Sequence, residues 1–268
     1  MITYQFNYKR AGSVAEAEEM LRSSADGKLL AGGQTLIAAM KMRLANPSDL
    51  IDISGIKDLN YIRVVDGAVA IGAATTHFEV ADSAEVQKAI PALAYTASVI
   101  GDPAVRHKGT LGGSVANNDP AADYPAAVLG LGATIKTNKR SIAADDFFTG
   151  MFSTALEDGE IVTEISFPIP QGASYKKFQN PASRYAMAGA FVAKLKDGSI
   201  RVAITGAGPC VFRVPEMEAA LAANFTADAV AKIAVDASGL NSDIHGSAEY
   251  RANLVTVMAK RAVADAAA

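Results

Sequence analysis

The sequence predicts an α+β protein of two units, and three observations carry the prediction. Over residues 28–53 an apolar strand, a glycine turn, a helical run and a second strand follow one another, the order of a parallel crossover. From Gly55 onward, apolar alternation is interrupted by short turns, the mark of antiparallel hairpins. A break at Pro168-Ile169-Pro170-Gln171-Gly172 separates these from one more hairpin and three helical runs. The boundary is placed there: residues 1–170 form one domain, in lobes of about 1–55 and 56–170, and residues 171–268 form a second.

Each element has a local reason. Ser13-Val14-Ala15-Glu16 has the capping-box spacing, and Val14, Ala17, Met20 and Leu21 mark the buried face of the helix it opens. A strand over Lys28 to Ala31 meets the turn Gly32-Gly33. A helix from Leu36 then runs to near Ala45, stopped by Asn46-Pro47, and a strand over Asp49 to Ile53 completes the crossover. Ile62 and Val64, then Asp66-Gly67, then Val69 and Ile71 predict a hairpin whose two-residue turn needs positive φ at both centres. Thr75 or Thr76 caps a helix from His77 to Val80, and Ile90-Pro91 opens another to Val99. An apolar run from Pro125 to Leu131 and strands at Ala133 to Thr137 and Glu160 to Phe167 close the domain. In the second domain, Phe191 to Lys196 and Ser199 to Thr205 pair across Asp197-Gly198. Helices are predicted for Pro215 to Ala223, Ala227 to Ala237 and Ala248 to Ala264, with a fraying alanine-rich end.

Two stretches stand out from this framework. Ala31-Gly32-Gly33-Gln34-Thr35 joins a strand to a helix, and Gly109-Thr110-Leu111-Gly112-Gly113-Ser114 repeats the pattern downstream, followed by Asp119 and Asp123. Side-chain-poor bends expose backbone N–H groups and let an anion approach, and a helix start adds its positive dipole end. Two such cradles point to two phosphates. No G-x-G-x-x-G opens a helix, so a Rossmann nicotinamide site is not supported.

Composition narrows the chemistry. The chain has 268 residues and a formal net charge of −3, which gives no electrostatic footprint for nucleic acid or an anionic membrane. The start, Met1-Ile2-Thr3-Tyr4-Gln5-Phe6, lacks the pattern of a signal peptide, and no integral membrane span is expected, so a cytoplasmic protein is the default. A single cysteine, Cys210, cannot supply the thiolates of an iron–sulfur cluster and reads as an inert buried thiol. His77, His107 and His245 have no metal-ligand spacing, so no metal site is expected. Redox chemistry, if present, belongs to an organic cofactor.

Ala31-Gly32-Gly33-Gln34-Thr35, Arg106-His107-Lys108-Gly109-Thr110-Leu111-Gly112-Gly113-Ser114 with Asp119-Pro120-Ala121-Ala122-Asp123, and Tyr250-Arg251 with Arg261-Ala262 carry a resemblance over essentially the whole chain. They resemble the medium, FAD-binding subunit of the molybdenum hydroxylases, the family of aerobic carbon monoxide dehydrogenase and of the flavin part of xanthine dehydrogenase. Many members have His or Ala ahead of the Asp-Pro pair, where this chain has Asn117-Asn118, and Ser where it has Thr35. Neither change removes a donor that a phosphate needs.

The resemblance implies a two-lobed FAD-binding fold of the vanillyl-alcohol-oxidase (PCMH) type, followed by a domain of antiparallel sheet and helices. It implies that Leu30, Ala31, Gly32, Gly33, Gln34, Thr35 and Leu36, with Thr110, Gly112, Gly113 and Ser114, hold the FAD pyrophosphate through N–H groups and hydroxyls. Asp123 would accept from ribose hydroxyls, with Asn117 and Asp119 on the same turn. Ile161 and Val162 would pass main chain along the flavin, and Ile100, Lys177 and Tyr185 match further cofactor positions. Asp119 equally suits a turn acid, Asp123 a helix cap, Lys177 a surface lysine and Tyr185 a core aromatic.

No residue is assigned a bond-making role. The resemblance implies an electron relay in a complex of the carbon monoxide dehydrogenase type. A large partner holds the molybdenum cofactor, a small partner holds two iron–sulfur clusters, and FAD delivers electrons to an external acceptor. The assembly implied is a dimer of heterotrimers, cytoplasmic, with at most peripheral contact with the inner face of the membrane. Two rivals are a self-contained flavin dehydrogenase or oxidase, and a nucleotide-binding module without a redox role.

Overall fold

The computed structural model describes residues 2–267. The first lobe contains β1 (Asn7–Arg10), α1 (Val14–Arg22), β2 (Gly27–Leu30), α2 (Leu36–Lys41) and β3 (Asp49–Asp52). Its sheet is parallel, in the order β1-β3-β2. Ser13 caps α1 by accepting from the Glu16 N–H, while Glu16 reaches back to the Gly12 N–H at 2.7 Å. The crossover of β2, α2 and β3 is as predicted, but α2 stops at Lys41 rather than near Ala45. Arg43 turns left-handed (φ 61°) and the Leu44 N–H returns to the Ala39 carbonyl, which closes the helix early. Strand β1 was not predicted, because Asn-Tyr-Lys-Arg has no apolar alternation. It is held by the ladder, by Lys9 on Asp49 (2.8 Å) and by the Tyr8 hydroxyl on Asp52 (2.5 Å).

The second lobe continues with β4 (Ile62–Val65), β5 (Ala68–Gly72), α3 (His77–Asp82), α4 (Ala84–Ala89), α5 (Pro91–Ser98), α6 (Pro103–Arg106), α7 (Leu111–Asn117) and α8 (Tyr124–Gly130). It ends with β6 (Thr134–Thr137), β7 (Ser141–Ala143), α9 (Ala144–Phe147), β8 (Phe148–Gly150), β9 (Ser153–Thr154) and β10 (Val162–Pro168). The main sheet is antiparallel, in the order β4-β5-β10-β6-β7. At the β4–β5 turn Asp66 and Gly67 have φ of 50° and 77°, the mirror-image turn that Asp-Gly specifies. Thr76 makes a full capping box with Glu79 at the start of α3. The stretch read as an anion loop is itself helical: Thr110 caps α7, and its glycines form the first turn.

The last part is β11 (Gly172–Gln179), β12 (Ala186–Lys194), β13 (Ile200–Thr205), β14 (Phe212–Arg213), α10 (Pro215–Ala223), α11 (Ala227–Val230) and α12 (Ala248–Ala266). Its four strands are antiparallel in sequence order. Strand β12 is buried on both faces and has Ala or Gly at five of its nine positions, so that layers on either side can approach. One face joins the core around α5, α7 and α8 through Tyr175 and Phe191, and the other packs Ala188, Ala190 and Val192 against α10 and α12. The helix predicted for Ala227 to Ala237 covers only Ala227–Val230. Asp236 binds both the N–H and the hydroxyl of Ser238, a local turn that competes with helix there. Among the described residues no helix is long and apolar enough to cross a membrane.

Candidate functional site

The two glycine bends meet backbone to backbone. A Cβ placed on Gly32 would stand 2.1 Å from the Lys108 carbonyl oxygen and 2.7 Å from Gly109 Cα, so the contact exists only because Gly32 lacks a side chain. Behind Gly109 lies His77, whose N–H donates to the Gly109 carbonyl at 2.9 Å.

The bends differ in what they offer. In the first, the N–H groups of Gly32, Gly33, Gln34, Thr35 and Leu36 have no acceptor among the described residues. The Thr35 hydroxyl caps nothing. In the second, every N–H from Leu111 to Ser114 is already bonded. Leu111 donates to the Thr75 carbonyl (2.9 Å), Gly112 to that of Ala73 (2.9 Å), Gly113 to Thr110 Oγ1 (3.1 Å) and Ser114 to the Thr110 carbonyl (3.0 Å). Docking of the start of α7 beside the end of β5 occupies the first two of these donors and the Thr110 cap the other two, so the second bend offers fewer free N–H groups than the first. Gly112 is a packing glycine: a Cβ there would stand 2.5 Å from Ala73 Cβ. In this bend the Ser114 hydroxyl has no partner among the described residues and lies at the cleft wall.

Between the bends opens a cleft of about 860 Å³, at the upper end of ligand-pocket sizes. Ala31, Gly32, Gly33, Gln34, Thr35 and Leu36 line one side, and Thr110, Gly112, Gly113, Ser114, Asn117 and Asp119 the other. Ile100, Ile161 and Val162 add apolar wall, and Asp123 and Tyr185 stand where the C-terminal domain closes it. Asp119 Oδ1 accepts from the Ala121 N–H (2.9 Å), which makes it a turn acid as well as a wall residue. The main chain of Ile161 is bonded both ways to Asn138, at 2.8 and 3.0 Å, so it presents side chain rather than backbone. Leu30 and Lys177 lie outside the lining; Leu30 is in the β2 ladder, and its carbonyl accepts from Ile53.

Asp123 does not cap α8. Its carboxylate is buried, taking the Tyr175 hydroxyl at 2.6 Å and the Lys177 ammonium at 3.0 Å. Burial raises this carboxyl above its ordinary range, and Lys177 and Tyr175 pull it back. Burial and the adjacent Asp123 push the Tyr175 phenol well above 10, which keeps it a donor.

Sequence reasoning missed His77 and the turn Ala182, Ser183 and Arg184, all in the wall. Burial, then the charge of Arg106, lowers His77 to about 4, so it is neutral. Its Nδ1 is sealed without a partner among the described residues, as is the hydroxyl of Tyr124, which meets it edge-on at 5.2 Å. Pro181 and Ser183 between two apolar strands were turn signals, but nothing in them marks a cleft.

A diphosphate-bridged dinucleotide fits what is present: one row of open N–H groups, a facing wall without bulky side chains, and apolar wall beyond. Residues 4–170 match the family described as "FAD binding domain in molybdopterin dehydrogenase", and residues 173–266 match "CO dehydrogenase flavoprotein C-terminal domain". The chain is 34% identical to the nicotine 6-hydroxylase medium subunit of Paenarthrobacter nicotinovorans, over 97% of each chain. It is 36% identical to the carbon monoxide dehydrogenase medium chain of Hydrogenophaga pseudoflava, over 98% of this chain and 97% of that one. The structure of reconstituted CO dehydrogenase from Oligotropha carboxidovorans superposes with a TM-score of 0.91 at 35% identity, over 99% of both chains. The chain thus belongs to the FAD-binding flavoprotein subunits of the molybdenum hydroxylases, and FAD is its cofactor.

Proposed function

We propose that this chain relays electrons through FAD held in the cleft between the two bends. When bound, FAD accepts electrons from a reduced centre and passes them on singly or in pairs. One observation carries the reading: five consecutive N–H groups, Gly32 to Leu36, without acceptors among the described residues and opposite a wall of glycines and small polar side chains. They would hold the pyrophosphate, with the Thr35 and Ser114 hydroxyls. Asn117 and Asp119 would meet the adenosine half, and Ile100, Ile161, Val162 and Tyr185 would bound the flavin. Residues 1–170 would carry the cofactor and 171–268 would close one end of its cleft.

The electrons would come from two iron–sulfur clusters on a small partner, which takes them from a molybdenum cofactor on a large one. Cys210 alone cannot hold a cluster. We place the assembly in the cytoplasm as a dimer of heterotrimers. Relatives named for nicotine and for carbon monoxide match over nearly the same length at 34% and 36% identity, so substrate choice is assigned to the large partner.

Affinity purification from the native host tests this: a small iron–sulfur chain and a large molybdenum chain are expected with a yellow protein. Thermal shifts with FAD, FMN and ADP separate the rivals, since a ligand at one hundred times its Kd adds about 2.7 kcal/mol. Equal shifts with ADP and FAD would favour a nucleotide module. Turnover of a physiological reductant by the chain alone would favour a self-contained dehydrogenase.

A further inference from the structure

We infer that Lys177 is a positioning residue of the cofactor cleft: its one buried ammonium ties three wall segments together and so sets the spacing of the cleft where the C-terminal domain closes it. The inference rests on FAD lying in that cleft.

The Lys177 side chain is 5% exposed and does not line the cleft. Its Nζ donates to the Val99 carbonyl at 2.8 Å, to the Arg184 carbonyl at 3.0 Å and to the Asp123 carboxylate at 3.0 Å. An ammonium has three donors, and here each meets a different segment. Val99 ends α5 and precedes the wall residue Ile100; Asp123 is in the wall and precedes α8; Arg184 is in the wall and precedes Tyr185. Two of these segments belong to residues 1–170 and one to the turn between β11 and β12.

A compact point charge with three divergent donors suits this junction better than the planar fork of arginine. Tyr175, two residues earlier on the same face of β11, adds its hydroxyl to Asp123. A Cβ on Gly189 would stand 2.4 Å from that hydroxyl, so the strand beside it is cut away to admit the contact. The carboxylate is held from behind, by the C-terminal domain.

The single variant Lys177→Met would leave Asp123 buried and unpaired, and its effects would mix folding with positioning. The informative pair is Asp123→Asn against the double variant Lys177→Met/Asp123→Asn. Asp123→Asn removes the buried counter-charge but keeps the ammonium on two carbonyls, and its loss of FAD affinity is expected to be at least threefold smaller than that of the double variant. The double variant removes both charges. It is expected to melt within a few degrees of wild type, bind FAD at least tenfold more weakly, and show a weakened visible circular dichroism of the bound flavin. Wild-type affinity and dichroism in the double variant would make the cluster a matter of folding alone and overturn the inference. A full loss already in Asp123→Asn would make Asp123 the cofactor ligand and overturn it as well. A wild-type chain indifferent to FAD would instead remove the proposed function, and this inference with it.

Discussion

Substituting Gly32 by alanine probes the contact on which the cleft depends. The added Cβ would lie 2.1 Å from the Lys108 carbonyl oxygen, whereas ordinary contact begins at 3.4 Å, so the bends must part by about 1.3 Å. Both sides are backbone, and no flexible side chain can yield. Overpacking of this kind costs about 1–3 kcal/mol of stability. The larger effect is on the cofactor, because a shift of that size takes N–H groups of the first bend out of hydrogen-bond range of a phosphate. Loss of two charge-assisted bonds at about 1.5 kcal/mol each is about 3 kcal/mol, a factor of about 100 in Kd. The assay is quenching of FAD fluorescence on titration with apoprotein, with thermal melts run in parallel. Gly239→Ala is the control: like Gly32 that glycine has no positive φ, but nothing lies within 4 Å of its Cβ, so it adds a methyl without collision. Wild-type FAD affinity in a folded Gly32→Ala protein would refute the convergence of the two bends.

Further outcomes follow from the same geometry. Gly113→Ala adds a methyl at the cleft wall, 2.8 Å from Thr110 Oγ1, which must shift, and 4.0 Å from Ala31 Cβ; FAD affinity should fall tenfold or more, with about 1 kcal/mol of stability lost from the disturbed cap, as read by the same titration and melts. His77 has a folded pKa of about 4 against an ordinary 6.5, so the folded state binds fewer protons between those values. Its contribution is complete above pH 6.5 and is lost as pH falls to 4, about 3 kcal/mol in all. Urea unfolding across that window should show a shallower pH dependence in His77→Leu than in wild type; parallel curves would contradict this. Arg251→Ala removes the donor to the Met187 and Gly206 carbonyls (2.8 and 2.9 Å) and should cost about 2–4 kcal/mol in denaturant unfolding.

Legibility in the sequence tracked how local each cause was. The Asp66-Gly67 turn, the threonine cap before His77 and the crossover into α2 are specified by neighbours within a few residues, and all formed where predicted. Strand β1 escaped because its stabilisation comes from Asp49 and Asp52, about forty positions away, and leaves no apolar rhythm in Asn7–Arg10. Lys177 was placed by resemblance among the cofactor residues, yet two of its three acceptors are main-chain carbonyls. A carbonyl has no signature in a sequence, so a lysine that braces a wall and a lysine that touches a ligand look the same until the fold is known.

The same limit explains the two glycine bends, which look interchangeable and do unlike work. A Gly-Gly pair states only that a side chain is not tolerated; it does not state what would strike it. At Gly112 the neighbour is Ala73, and the N–H groups around it are taken by the carbonyls of Ala73 and Thr75 and by the Thr110 cap. At Gly32 the neighbour is the other bend, and the N–H groups that follow have nowhere internal to go. Unpaired backbone donors are costly unless solvent or a ligand meets them, so the chain keeps one open row where a ligand approaches and satisfies the rest. Donor and spacer are thereby divided between the lobes: the first lobe supplies the electropositive row, and the second supplies a rigid surface close enough to hold an anion against it. Binding affinity should then respond to first-bend changes mainly through lost hydrogen bonds, with a strong enthalpic component. Second-bend changes should act through lost fit. Calorimetry on Gly32→Ala and Gly113→Ala would separate the two, and indistinguishable enthalpies would mean that the bends share one role after all.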